Sequence, residues 1–281
     1  RALGLQLIQF EVEEGEVEVT LEASFEGINL GLVPERLDRD IGVWRTQRSG
    51  QRVALATASS LQVDGHDLPA IAVDQLKWTW SWKARVGQVV NFERIVAVAR
   101  SDTQDLDPGR GARDKLDVAR HLGWRSVLAE HEMAWASRWQ CSDVEVAGDD
   151  AAQQALRFAI YHLNSAANPA DERVSIGARA LTGDDYHGHV FWDTEIYLLP
   201  FYILTWPEAA RALLMYRFRT LDAARAKSAR MGWRGALYAW ESADSGAETT
   251  PEQVIGADRQ VIDILSGREE QHISADVAYA V

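Results

Sequence analysis

Cysteine occurs once in the 281 residues, at Cys141, which excludes an internal disulfide. With no Cys-x-x-Cys pair and no Cys/His cluster, a thiolate metal site is excluded as well. Nothing calls for an oxidising compartment, and the expected location is cytoplasmic. Basic residues are few beside acidic ones: 29 Lys and Arg against 42 Asp and Glu leave a formal net charge of −13. Such a field repels phosphodiester backbones and anionic lipid headgroups, so neither nucleic acid nor a membrane is an expected partner. Long apolar runs are missing too. The longest, Ile196 to Trp206, contains Pro200 and falls well short of the ~20 residues that cross a bilayer, so it reads as a buried helix. The P-loop, the Rossmann glycine fingerprint and the Gly-x-Ser-x-Gly elbow are all absent. His131-Glu132-Met133-Ala134-Trp135 opens like a zincin helix, but Trp135 stands where the second histidine would be, so that zinc site cannot form. No metal and no cofactor is expected.

What is present is enough apolar material for a sizeable core, at 47% hydrophobic and 25% charged residues. Alternating apolar and polar residues mark strands over Leu5 to Glu14, Val17 to Ser24, Val53 to Val63, Trp78 to Arg85 and Val89 to Ala99. An antiparallel β-sandwich over residues 1–105 is the natural architecture for that pattern. Ser101 to Gly111 reads as a connection, after which helical spacing takes over from about Ala112 to Gln140. This gives a helical linker over 106–145. In the remainder, 146–281, Gly148-Asp149-Asp150 offers an N-cap to a helix whose apolar stripe is Ala152, Leu156, Ala159 and Leu163. Thr205 with Pro207 starts another helix, expected to run with a break to Met231 before Gly232. The fold class is α+β multidomain. Arg1 stands in place of an initiator methionine, and Ile273, Val277 and Val281 keep helical spacing to the last residue, so the sequence reads as part of a longer protein.

The chemistry is concentrated in Tyr186-His187-Gly188-His189-Val190-Phe191-Trp192-Asp193-Thr194-Glu195, in Trp240-Glu241-Ser242-Ala243-Asp244 and in Glu269-Glu270-Gln271-His272. Trp192 adjoins Asp193 and Trp240 adjoins Glu241. A pyranose presents apolar C–H faces that stack on rings and hydroxyls that seek Asp and Glu acceptors. The competing structural reading makes Phe191 and Trp192 core, Asp193 or Thr194 the cap of a helix running to Leu204, and Glu195 a first-turn acid favoured by the helix dipole. His187-Gly188-His189 also has the form of a two-imidazole metal pair, although no further His lies nearby in sequence.

The stretch Ala178-Arg179-Ala180-Leu181-Thr182-Gly183 through Glu195, together with Gly235 to Ala243 and Glu270-Gln271-His272-Ile273, resembles glycoside hydrolase family 65, which contains maltose, trehalose and kojibiose phosphorylases and some trehalases. The resemblance implies a β-sandwich, a helical linker and then the first part of an (α/α)6 barrel with a cleft for an α-glucoside. It implies that Trp192 and Asp193 bind the glucosyl unit at the scissile bond, with Trp240 and Glu241 near the same sugar. The family's general-acid glutamate lies in a Pro-Asp-Glu-Tyr motif that this sequence does not contain, so Asp193, Glu195, Glu241 and Glu270 are not assigned that role and no catalytic residue is named. The activity implied is inverting phosphorolysis of an α-glucosyl disaccharide by inorganic phosphate, with release of β-glucose 1-phosphate, in a protein that is commonly a homodimer. A trehalase-type hydrolase and a non-catalytic carbohydrate-binding module are the alternatives.

Overall fold

The computed structural model describes residues 2–25, 31–47, 49–101, 107–183 and 185–281, and the chain divides into two compact units, Arg1–Ala134 and Trp135–Val281. The first unit contains nine strands among the described residues: β1 (Leu3–Glu11), β2 (Val17–Ala23), β3 (Leu32–Leu37), β4 (Ile41–Thr46), β5 (Arg52–Val63), β6 (His66–Leu68), β7 (Ala72–Asp74), β8 (Lys77–Ala84) and β9 (Val89–Arg100). All pair antiparallel, in one sheet ordered β1-β9-β5-β4-β3 with β6 on β5, and a second ordered β2-β8-β7. The two long strands β5 and β9 run opposite each other from Val53–Arg100 to Val63–Val90.

Because successive side chains point to opposite faces, each long strand feeds two cores. Leu61 of β5 and Val90 and Phe92 of β9 meet Ala23 of β2 and Trp78 and Trp80 of β8, forming the sandwich interior. Trp80 is buried there, edge-on to Phe92 with ring centroids 5.8 Å apart. An aromatic side chain of this kind buries about 150–250 Å², worth roughly 4–6 kcal/mol of transfer free energy before ordering costs. On the opposite face, Ala54 and Ala56 of β5 and Ala97 and Ala99 of β9 join Ile41 and Val43 of β4 under helix α1 (Pro108–Leu122), through Ala112 and Leu116. The small residues let the helix sit close to the sheet.

Helix α1 begins earlier than its apolar spacing indicates, within the stretch read as a connection. Pro108 opens the first turn and the Asp107 side chain accepts from the Arg110 amide at 3.2 Å, a capped start. Residues 102–106 of that connection lie outside the described residues. The Arg113 guanidinium then grips Asp40 with two 3.0 Å bonds and holds its carboxyl below the usual carboxylate range. Helix α2 (Trp124–Ser142) follows, and the boundary between the two units falls inside it.

The second unit is helical: α3 (Asp150–Ala166), α4 (Leu199–Thr205), α5 (Pro207–Arg219), α6 (Leu221–Arg230), α7 (Ser266–Glu269) and α8 (Ile273–Ala280), with a short hairpin β10 (Gln253–Ile255) and β11 (Val261–Asp263). Asp149 caps α3, its carboxylate accepting from the Ala152 amide at 2.9 Å. The buried stripe of α3 is offset from the expected one: Ile160 and Asn164 are buried, while Ala152 and Ala159 face solvent. The run Ile196 to Trp206 is likewise buried on one face alone. Leu199 and Tyr202 are enclosed with Ile176, Ala209, Ala210 and Leu213, whereas Ile203 and Leu204 are exposed. The expected break in the following helix falls at Thr220, between α5 and α6. Antiparallel sheets followed by helices make this the α+β chain that the patterning indicates. Among the described residues no helix is long and apolar enough to cross a membrane.

Candidate functional site

The Trp192–Asp193 pair sits where a strained loop enters a helix. Tyr186, His187 and Gly188 all adopt left-handed backbone, with φ of 59°, 55° and 74°. For the two non-glycine residues this costs of order 1–3 kcal/mol each. The turn is held from both sides, by the His189 amide donating to the Tyr186 carbonyl and the Ala178 amide donating to the His189 carbonyl. Gly177 is required beneath it, because a Cβ there would lie 2.7 Å from the Gly188 carbonyl oxygen. A bridge between Val190 and Ser242 then aligns this segment with the one that carries Trp240 and Glu241.

Past Asp193 the backbone forms a π-helical turn, Thr194–Leu198, that runs directly into α4. Such turns are uncommon and concentrate at functional sites. The capping expected of Asp193 or Thr194 is not made: the Asp193 side chain forms no cap bond, and the Thr194 hydroxyl donates to the Ile176 carbonyl at 3.2 Å. Asp193 has no hydrogen-bond partner among the described residues and lines a cavity of about 320 Å³ with Gly177, Arg179, Thr182, Phe191 and Leu198. Glu195 does stand in the first turn. It is buried and paired with Arg217 of α5 at 2.6 and 2.8 Å.

Trp192 and Trp240 come together around one imidazole. The His272 ring lies edge-on to both, with centroids 4.9 Å from Trp192 and 5.9 Å from Trp240, and Tyr197 extends the group at 5.6 Å from Trp192. His272 Nδ1 is 2.6 Å from the Asp276 carboxylate, which fixes the ring's orientation. Phe191 is buried and meets Trp240 edge-on at 6.4 Å, so it is core that joins the ring cluster to the Asp193 cavity. Trp192 itself is half-buried. Glu241 lies deeper, 8% exposed, with Oε1 2.5 Å from His189 Nδ1. That bond occupies one nitrogen of the His187/His189 pair, and among the described residues no group of three or more His, Cys, Asp or Glu could hold a metal ion.

Four supporting residues, Arg217, Lys227, Glu248 and Tyr216, escape a reading of the sequence alone. Arg217 and Lys227 look like ordinary basic residues in the last turns of α5 and α6, yet both are buried. Lys227 Nζ meets Glu248 at 2.6 Å, and Glu248 also accepts from the amides of Trp240 and Glu241. Burial pushes the Glu248 carboxyl up, but the Lys227 ammonium, the Thr250 hydroxyl and the Glu241 amide outweigh it and leave the group below its ordinary value. Burial likewise raises the Tyr216 hydroxyl, which bonds to Ser242 Oγ and donates to the Ala243 carbonyl. Polar spacing gives no warning of the Arg217–Glu195, Lys227–Glu248 and Tyr216–Ser242 contacts, which join residues 22, 21 and 26 positions apart.

The helical unit thus carries a ring group of Trp192, Trp240 and His272, and Phe191 links it through Trp240 to the cavity that Asp193 lines. The family model described as the glycosyl hydrolase family 65 N-terminal domain matches residues 8–138, and that of the family's central catalytic domain matches residues 157–281. The chain belongs to glycosyl hydrolase family 65. It is similar to a kojibiose phosphorylase of Halothermothrix orenii, 47% identical over 183 residues that make up 63% of this chain and 24% of the relative. It is also similar to a kojibiose hydrolase of Flavobacterium johnsoniae, 40% identical over 198 residues, 70% of this chain and 27% of the relative. Among solved structures, a human-microbiome protein provisionally named a kojibiose phosphorylase shares the fold at a TM-score of 0.75 and 22% identity, over 99% of this chain and 37% of that one. The chain spans about a quarter of the length of these two curated relatives.

Proposed function

We propose that these residues form the glucosyl-binding portion of an inverting disaccharide phosphorylase, in which inorganic phosphate attacks an α-glucoside and β-glucose 1-phosphate leaves. The helices of the second unit then belong to the first part of an (α/α)6 barrel, and the protein works in the cytoplasm as a homodimer. The observation that carries the reading is the convergence of Trp192 and Trp240 on His272, with Phe191 touching both Trp240 and the cavity that Asp193 lines. In this reading the rings pack on the apolar face of the glucosyl unit, Asp193 accepts from its hydroxyls, and Glu241 completes the contact from its pair with His189. Kojibiose is the first substrate to try, because relatives of both reaction types are named for it.

An inverting reaction needs an acid to protonate the leaving oxygen and a nucleophile on the opposite face of the sugar, and phosphate replaces the water and its activating base. The family resemblance assigns the acid to a Pro-Asp-Glu-Tyr motif absent from these 281 residues, so the residues named here bind and orient rather than donate that proton. The experiment is turnover of kojibiose with phosphate by the full-length protein and its Asp193→Asn variant. Loss of a charged acceptor costs ~1.5–3 kcal/mol, a fall of roughly 10- to 150-fold in the specificity constant. A folded variant within twofold of the parent would remove Asp193 from the site.

A further inference from the structure

We propose that Arg217 of α5 is the positioning residue of this site, tying the segment that carries Trp192 and Asp193 to the one that carries Trp240 and Glu241. The inference rests on reading those four residues as sugar contacts. The Arg217 side chain is 3% exposed. Its Nε and Nη2 donate to the two carboxylate oxygens of Glu195 at 2.6 and 2.8 Å, and Nη2 donates also to the Phe191 carbonyl at 2.8 Å. That carbonyl belongs to the peptide bond entering Trp192, and Glu195 lies two residues beyond Asp193. A single guanidinium therefore fixes both ends of the five-residue segment on which the pair sits.

The other segment is tied to the same residue. The Tyr238 hydroxyl donates to the Arg217 carbonyl at 3.0 Å, and the guanidinium carbon lies 5.8 Å from the Tyr238 ring centroid. Tyr238 stands two residues before Trp240. A buried ion pair adds little stability over a well-packed apolar pair of similar volume. What the guanidinium adds is geometry: a planar fork with fixed spacing that reaches a carboxylate and a carbonyl at once, which an ammonium on a flexible stem cannot reproduce. Arg217 touches no sugar in this arrangement and acts through Trp192, Asp193 and Trp240.

The test uses the full-length protein with kojibiose and phosphate, and the Arg217→Met/Glu195→Leu double variant, which removes both buried charges together. The expected result is a cooperative melt close to the parent's with KM for kojibiose raised about tenfold to a hundredfold, as for a site displaced by an ångström. Arg217→Lys, which keeps the charge without the fork, should show a smaller rise in KM, and it carries the test should the double variant not fold. If either folded variant loses kcat in proportion to its folded fraction while KM stays at the parent's value, Arg217 is structural and the proposal falls. Trp192→Ala separates the two readings. An unchanged KM in Trp192→Ala overturns the sugar-contact reading itself, whereas a raised KM there with an unchanged KM in the Arg217 variants overturns the positioning role alone.

Discussion

Burial decides what the carboxylates of the second unit do. Glu195 and Glu248 are enclosed with cations and spent on structure, Glu241 is held by His189, and Asp193 keeps its oxygens open to a cavity. Removing one member of the Arg217–Glu195 pair leaves an uncompensated buried charge, so Glu195→Ala should destabilise the protein by about 3–5 kcal/mol. Denaturant midpoints measure this, and a shift of under about 1 kcal/mol would mean that the pair is not enclosed. Glu248 makes a prediction about pH. Its folded pKa lies below the ordinary 4.5, so the stability it contributes is fully present above that value and is lost as pH falls through the lower folded value. Urea midpoints from neutral pH down to about 3 should therefore fall less steeply below 4.5 in Glu248→Gln than in the parent. Parallel curves would contradict the assignment. Glu195, Glu241 and Glu248 cannot be told apart by residue type or by neighbouring sequence, because the basic partner of each comes from a distant part of the chain.

Single elements show where patterning succeeds and where it fails. Strands β2, β5, β8 and β9 were legible because each alternates between two distinct environments. Strand β4 was not. Ile41 and Val43 pack under α1 while Trp44 joins the sandwich interior, so both faces are apolar and no alternation is left to read. Strand β3 was hidden by Pro34, which is tolerated there because β3 is an edge strand that pairs with β4 alone and carries a register shift between Pro34 and Arg36. The aromatic–carboxylate motifs of the candidate site and His272 were visible in sequence, but that the His272 ring gathers the two tryptophans was not, since it comes from the turn that enters α8. Two substitutions test the local account. Asp149→Ala removes the α3 cap and should cost about 1 kcal/mol by thermal melt, with no change indicating that water replaces the carboxylate. Gly246→Ala should cost more, because φ is +70° and the new Cβ would lie 2.3 Å from Thr220 Cβ, behind the Trp240–Glu241 segment. A melting temperature equal to the parent's would show that this loop is free to relax.

At the scale of the whole molecule, charge sets the problem that the proposed chemistry has to solve. A net charge of −13 opposes the approach of any anion, so a phosphorylase of this composition must concentrate cationic and amide donors locally at its phosphate subsite. Among the residues described, Arg217 is neutralised by the buried Glu195 and Lys227 by the partly buried Glu248, so neither is available for that purpose. The family's phosphorylases and hydrolases differ in the nucleophile that meets the glucosyl unit, and the glucosyl contacts proposed here serve either one. The decisive measurement is incubation of the full-length protein with kojibiose, with and without inorganic phosphate, followed through the anomeric NMR signals. The account predicts cleavage only when phosphate is present and a sugar phosphate of β configuration, since attack comes from the face opposite the protonated oxygen. Equal release of free glucose in phosphate-free buffer would make the protein a hydrolase, and an α-configured product would contradict the inverting mechanism.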